Sequence, residues 1–266
     1  MIQSVTFGDE FNIAGALVGK NTWDDWRILP TERPVFTPPE PKTIFINVPG
    51  GNGSLDMSES LTRYPVYNNR TGSFSFRVMN GHKPWAERYS EIMQHIHGKA
   101  MRVVLADDPD WFYYGRFSVD GWASGDTWSV ITIGYNVGPF KWYRESSIDP
   151  WIWDPFNFDT GVIWEQTFSN ISINSPSSWV AYIWPPVGTN VLDFFGHVPF
   201  SPTIHVTGAN NLDIWFQNTF LGIDQTIRLT NGVNYLPDII FYGQPSYTVR
   251  FRGVGTISFE FRVGRL

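Results

Sequence analysis

Apolar and polar side chains alternate along much of this chain. The alternation is clearest near its end, where single polar residues separate Ile257, Phe259, Phe261 and Val263. A period of two puts one set of side chains on a buried face and the other on a wet face, as in a half-buried β-strand. Runs of this kind predict strands in both halves of the chain. The ranges are 2–7, 23–29, 43–48, 72–79, 100–105, 111–119 and 128–137, then 162–168, 180–184, 203–207, 212–216, 226–229, 247–251 and 256–263.

One segment, between residues 82 and 100, departs from this period. Its larger apolar side chains recur at spacings of three and four: Trp85, Tyr89, Ile92 or Met93, and Ile96. This spacing predicts an amphipathic helix. Pro84 suits the first turn of the helix and Gly98 follows as a C-cap. The first half is therefore predicted to be a β domain with one embedded helix.

Prolines crowd the stretch 29–42. Because proline fixes φ and has no backbone N–H, this stretch is predicted to run extended, outside any helix or central strand. The strand at 43–48 then meets the turn residues 49–53, and 55–61 is the predicted return strand. The result is an extended arm with a β-hairpin. It either packs on its own domain or reaches for a partner.

Residues 138–160 break the strand pattern with three prolines and no clean period. We interpret them as a linker between an N-terminal domain at 1–137 and a C-terminal domain at 161–266. The short strands of the C-terminal domain, separated by turn residues, are typical of a β-sandwich or jelly roll. The fold class is predicted to be mostly β.

Composition narrows the function. The aromatic residues, 13 Trp, 21 Phe and 11 Tyr, favour pleated surfaces over helices. The net charge of −6 provides no basic face for a phosphate backbone, so nucleic acid is not an expected partner. The absence of cysteine excludes thiolate catalysis and zinc–thiolate sites. No secretory signal or membrane-spanning run is recognised, so we expect folding in a cytoplasm without membrane insertion.

Catalytic motifs are not found. There is no nucleophile elbow, phosphate-binding loop or histidine pair at metal-site spacing, so no enzyme activity, cofactor or metal is expected. The acidic run 107–110 is interpreted as a turn. One enzymatic hypothesis, a glycoside hydrolase, stays open because acidic and aromatic residues are both present. Aromatic residues near the linker suit a sugar platform, an interdomain seam or a subunit interface, the last two being favoured. They are Trp151, Trp153, Phe156, Phe158 and Trp164.

The sequence motifs of the first half indicate a protein family more specifically than its composition does. The phrases "WDDWRILPTERPVFTPPEPKTIFINVPGGNGSLDMSESLT", "YNNRTGSFSFRV" and "HGKAMRVVLADDPDWFYYGRFSV" occur in that order. Together they resemble the distal tail (Dit) proteins of siphophages and prophages, the hub of the baseplate or tail tip. The resemblance covers about residues 1–137.

This resemblance implies an N-terminal β-sandwich with one helix and a β-hairpin arm, followed by a galectin-like or jelly-roll β-sandwich. It also implies a homohexameric ring at the distal end of the tail tube, in the virion, after assembly in the host cytoplasm. The implied neighbours are the tail tube protein, the tail-tip or tail-associated hub protein, and the receptor-binding protein. We predict subunit contacts in an early segment, residues 23–27, and in the arm. For Trp23, Trp26, Ile44 and Ile46, a place in the domain core is an equally open alternative. The predicted contact residues are Trp23, Asp24, Asp25, Trp26, Arg27, Ile44, Phe45, Ile46, Asn47 and Asn52.

The C-terminal domain raises an alternative function, a carbohydrate-binding adhesin. Its candidate residues are Trp164 and Trp215. The sequence contains no galectin sugar-binding signature, and neither tryptophan has the expected acidic and basic neighbours along the chain.

Overall fold

The structure is a computed structural model that describes residues 3–12, 16–79, 83–125, 128–149, 168–182, 198–242 and 247–266. The chain divides into two compact units. The first unit is Met1–Arg144 with Leu266, and the second unit is Glu145–Arg265. The predicted limits of the linker, 138 and 160, stay predictions.

The first unit contains the only helix of the described residues among antiparallel strands. Its elements are β1 Val5–Phe11, β2 Leu17–Asn21, β3 Ile28–Pro30, β4 Phe45–Asn47, β5 Ser54–Asp56, β6 Arg70–Val78, α1 Trp85–Ile96, β7 Lys99–Leu105, β8 Asp108–Ser124, β9 Ser129–Val137 and β10 Lys141–Tyr143. The main sheet runs in the order β2-β1-β7-β8-β9-β6-β3, with β10 pairing β8. Strands β4 and β5 form a separate two-stranded sheet.

The core of the first unit follows the predicted alternation. Phe7, Phe76 and Phe117 are fully buried on one side of the main sheet. Helix α1 covers this side and adds Ile92 and Ile96 to the same core. The helix ends where predicted, because Gly98 at φ +75° adopts the left-handed conformation that favours glycine.

The second unit is built around two long antiparallel strands. Its elements are β11 Ile171–Tyr182, β12 Thr203–Asn218, β13 Ile223–Arg228, β14 Gly232–Tyr235, β15 Tyr247–Glu260 and β16 Gly264–Arg265. Strands β11 to β15, apart from β14, form a sheet in the order β11-β15-β12-β13, and β14 pairs the free half of β12. The core side carries Ile204, Phe216, Phe251 and Phe259.

Strands β12 and β15 correct the sequence prediction, which had divided each into two shorter strands. Each continues through residues that usually mark turns, because two register shifts between Thr207 and Asp213 let β12 bulge without ending its pairing with β15. Gly253 shows the reason: its φ is +121°, and a Cβ there would lie 2.3 Å from the carbonyl oxygen of Asn211. A glycine is needed here to let the two backbones pass closely.

The predicted strand at 23–29 is also wrong over most of its length. Residues 22–26 form turns, and pairing begins only at Ile28. The side chain of Asn21 accepts hydrogen bonds from the backbone N–H groups of Trp23 (2.9 Å) and Asp24 (3.2 Å), which bends the chain before the strand. The mostly-β class with one helix and a β-hairpin is otherwise confirmed for the described residues.

Candidate subunit interface

The hairpin arm, defined as β4, β5 and the turn between them, extends outside the main sheet. Its register is Phe45 opposite Asp56, Ile46 opposite Leu55, and Asn47 opposite Ser54. The turn includes Gly50 and Gly53, both with positive φ. Every residue from 41 to 56 is exposed, so neither face of the hairpin arm is covered by the chain itself.

The hairpin arm is unusually apolar for such an exposed element. An isolated two-stranded hairpin is at best marginally stable in water, and contiguous apolar exposure of this kind marks an interaction surface. The exposed fractions are Ile44 56%, Phe45 60%, Ile46 48%, Val48 50% and Leu55 53%. These side chains are therefore available to a protein partner.

The base of the hairpin arm is held by hydrogen bonds. The N–H of Ile44 donates to the Ser58 hydroxyl at 2.9 Å, and the N–H of Met57 donates to the Ile44 carbonyl at 2.8 Å. Hydrogen bonds from the Ser58 hydroxyl and N–H also hold the pKa of the Asp56 carboxyl below its usual value. Further down, the N–H of Lys42 donates to the Val66 carbonyl at 2.7 Å. The two segments that lead into and out of the hairpin arm are thus joined by hydrogen bonds below its apolar tip.

A buried phenylalanine roots the arm in the first unit. Phe36 is only 4% exposed, and its ring lies 4.1 Å from the ring of Tyr113 and 4.7 Å from that of Tyr135, between centroids. The next residue, Thr37, donates its N–H to the Tyr135 hydroxyl at 3.0 Å. Buried Arg70 donates to the carbonyl of Thr37 at 3.0 Å. The proline-rich stretch is therefore attached to the first unit at Phe36 and Thr37, and the exposed hairpin arm lies beyond it.

The early segment has a different structure from the arm. Trp26 belongs to the core, 3% exposed, with its ring 5.5 Å from that of His95. Asp25 pairs with Lys20 at 2.9 Å. Burial by itself raises the pKa of Asp25, but hydrogen bonds from the Asn21 N–H and Lys20 bring it below its usual value. Asp25 is thus already partnered within the turn.

The other members of this segment face outward. Arg27, at φ +52°, places its guanidinium 5.0 Å from the ring centroid of half-buried Trp23. Asp24 is exposed. Trp23, Asp24 and Arg27 therefore form a small polar and aromatic surface between β2 and β3, whereas the hairpin arm lies between β3 and β6.

In the second unit, Trp215 has the neighbours that its sequence context lacked. Its Nε1 donates to the Asp224 carboxylate at 2.7 Å, and the guanidinium of Arg250 lies 4.8 Å from its ring centroid. These neighbours are distant along the chain and are supplied by β13 and β15. Trp164 lies outside the described residues.

Sequence reasoning missed the rest of this cluster. Trp179 lies with its ring centroid 6.4 Å from that of Trp215, and Arg252 lies 4.7 Å from the Trp179 ring. The signal was present as the alternating pairs Asp213/Trp215 and Arg250/Arg252, whose register places Arg252 opposite Asp213 and Arg250 opposite Trp215. Because the pairing of β12 with β15 was unknown, the two patterns stayed separate.

The acidic run at 107–110 is part of the structure of the first unit. Asp107 pairs with Arg33 at 2.6 Å, and Asp108 pairs with Lys141 at 2.5 Å. The turn itself occupies only residues 106 and 107.

Within the described ranges, no group of three or more His, Asp or Glu side chains is arranged to hold a metal ion. The described part of the chain also has no helix that is long and apolar enough to span a membrane.

Comparison with known proteins identifies a shared fold. No protein-family model and no curated protein sequence matches the chain. Among solved structures, the chain is similar to the SPP1 Dit (gp 19.1) protein, described as a paradigm of the hub adsorption apparatus in phages that infect Gram-positive bacteria. The match has a TM-score of 0.57 at 10% sequence identity and covers 100% of both chains. This chain therefore has the fold of that protein.

Proposed function

We propose that this chain is a structural, non-catalytic phage protein whose copies form a hexameric ring at the distal end of a tail tube. The observation that carries the proposal is the hairpin arm, whose apolar residues are exposed on both strands. The fold shared with a phage hub protein over both full chains supports the same function. The ring would connect the tail tube protein to the tail-tip hub protein and the receptor-binding protein.

Ring closure gives the arm its physical role. A closed ring of identical subunits uses head-to-tail contacts, in which one surface of each copy meets a different surface of the next. The arm is suited to this contact because the prolines of the stretch 29–42, which leads into it, limit the conformations that this part of the chain must lose on docking. Its apolar residues, including Phe45 and Ile46, would be buried against the neighbouring copy. The surface of Trp23, Asp24 and Arg27 is a second proposed contact.

The ring is tested by the mass of the purified chain and of one variant. Light scattering across concentration should give a species of about six chains, and electron microscopy should show rings. The double variant Phe45→Asp, Ile46→Asp should stay a monomer of 30.5 kDa. Val233→Asp is the matched control, because Val233 is 51% exposed on a short strand of the second unit, close to the 48% of Ile46. A ring that survives the double variant would exclude the arm as its main contact.

A second candidate function, saccharide binding, is favoured by the second unit. Half-buried Trp215 and Trp179 lie side by side on the outer side of its sheet, next to the hydrogen-bonding groups of Asp224 and Gln217. Aromatic rings with a few placed polar groups are typical of small-molecule sites. Glycan-array binding by the full chain should be lost in Trp215→Ala and kept in Trp128→Ala, which alters an exposed tryptophan of the first unit. Binding that survives Trp215→Ala would reject this site.

A further inference from the structure

The outer side of the sheet β11-β15-β12-β13 carries a ladder of charged and aromatic side chains. In one row Arg250 lies opposite Trp215, and in the next Arg252 lies opposite Asp213. On the far side of β12, Arg228 also lies opposite Asp213. Their chain neighbours Phe251 and Ile214 belong to the core, so this ladder is on the solvent side. We call Trp179, Trp215, Arg228, Arg250, Arg252 and Asp213 the tryptophan–arginine face.

One carboxylate forms ion pairs with two of the three arginines on this face. Asp213, only 5% exposed, contacts Arg252 at 2.9 Å and Arg228 through a two-point ion pair. Burial by itself raises the pKa of Asp213, but the hydrogen bonds from both arginines bring it below its usual value. The carboxylate is therefore ionised and fully engaged.

Arg250 differs from both of its neighbours. It is exposed, and among the described residues no carboxylate lies within ion-pair distance of it. Its guanidinium lies 4.8 Å from the ring centroid of Trp215. A guanidinium held over an aromatic ring has lost part of its freedom but offers its planar fork of N–H donors to a carboxylate or phosphate.

The adjacent groups suit the body of a sugar. The rings of Trp179 and Trp215 supply apolar surface for the C–H face of a pyranose, and their centroids are 6.4 Å apart. Asp224 already accepts from Trp215 and from Gln217, and its carboxylate oxygens have lone pairs left for a sugar hydroxyl. An inorganic anion would use the guanidinium alone and would not need the apolar surface of either ring.

From this geometry we infer that the tryptophan–arginine face binds an anionic saccharide, with Trp215 and Trp179 against the sugar ring and Arg250 on its acidic group. The inference rests on the second candidate function, saccharide binding by the second unit, and adds the chemical class of the ligand. A single-stranded nucleic acid would also offer rings and phosphates, but the net charge of −6 opposes a polyanion.

The test uses the full chain and a panel of oligosaccharides bearing uronic acids or phosphate, each paired with its neutral methyl ester or dephosphorylated form. Calorimetry should find a charged member that binds about tenfold or more tightly than its neutral form, as expected for a charge-assisted hydrogen bond. Arg250→Ala should remove that preference, whereas Arg250→Lys should keep part of it. Arg116→Ala, in the first unit, should change nothing. Circular dichroism checks that each variant is folded.

The possible results distinguish the preference for an anionic saccharide from saccharide binding itself. If no member of the panel binds, both saccharide binding and this inference are rejected. If charged and neutral forms bind equally, or Arg250→Ala keeps the preference, the inference alone is rejected. If inorganic phosphate or a single-stranded oligonucleotide binds as tightly as the best saccharide, the ligand class is wrong.

Discussion

The hairpin arm and the tryptophan–arginine face are both exposed, yet they are built in opposite ways. The side chains of the arm are apolar and meet little besides solvent, as the exposed fractions of Phe45 and Ile46 show. The side chains of the face are already bonded to one another, with Asp213 between two arginines. An uncovered apolar surface suits another protein surface, whereas a preorganised polar face suits a small ligand. Exposure alone therefore does not identify a partner.

The largest expected effect is at the root of the arm. Phe36→Ala removes a buried ring that contacts Phe74, Tyr113 and Tyr135, and should lower the free energy of unfolding by about 3 to 5 kcal/mol. Urea unfolding of the full chain measures it. Val35→Ala, at an exposed neighbouring position, should change it by less than about 0.5 kcal/mol. Equal effects of the two variants would show that Phe36 is not an anchor.

The next effect is on the tryptophan–arginine face. Asp213→Asn removes the charge shared by Arg228 and Arg252 and should cost about 2 kcal/mol, since both arginines are partly solvated and the carboxylate is buried. Asp224→Asn, whose carboxylate is exposed, should cost less than about 1 kcal/mol. Chemical denaturation compares them. A silent Asp213→Asn would mean that the face is not preorganised.

The same carboxylate predicts a dependence on pH. The pKa of Asp213 is lower in the folded chain than its usual 3.8, so its ion pairs contribute stability that is fully present above about pH 4. That contribution is lost as the pH falls through the lowered pKa. The unfolding temperature should therefore fall less steeply between pH 5 and pH 2 in Asp213→Asn than in the natural chain. If the unfolding temperature falls equally with pH in both proteins, Asp213 does not contribute to the acid sensitivity of the chain.

The smallest effect on stability is expected in the arm itself. Ile46→Ser at an exposed position should change the free energy of unfolding of the monomer by less than about 0.5 kcal/mol. It should nevertheless weaken assembly measurably, because the apolar surface lost there is surface that the partner would cover. Sedimentation velocity gives the assembly and urea unfolding gives the stability. If stability falls but assembly does not, the arm is a part of the fold rather than a contact.

The sequence predicted what depends on local pattern. The helix, with Gly98 after it, follows from spacings of three and four, and the hairpin follows from proline, glycine and alternation. The pattern could not show that β15 is continuous, because glycine usually marks a turn, whereas Gly253 lies inside the strand and faces the bulge of β12 at Asn211. Nor could it bring Arg250 to Trp215, since that contact depends on pairing between distant strands.

The most direct test of the account asks whether the hairpin arm is buried between copies. The chain contains no cysteine, so Ile46→Cys and Val233→Cys each introduce one reactive thiol, and maleimide modification can be timed at rising protein concentration. If the arm is buried between copies, Ile46→Cys should react more slowly as the ring forms, while Val233→Cys should react at a constant rate. Equal, concentration-independent rates at both positions, in samples that light scattering shows to be assembled, would contradict it.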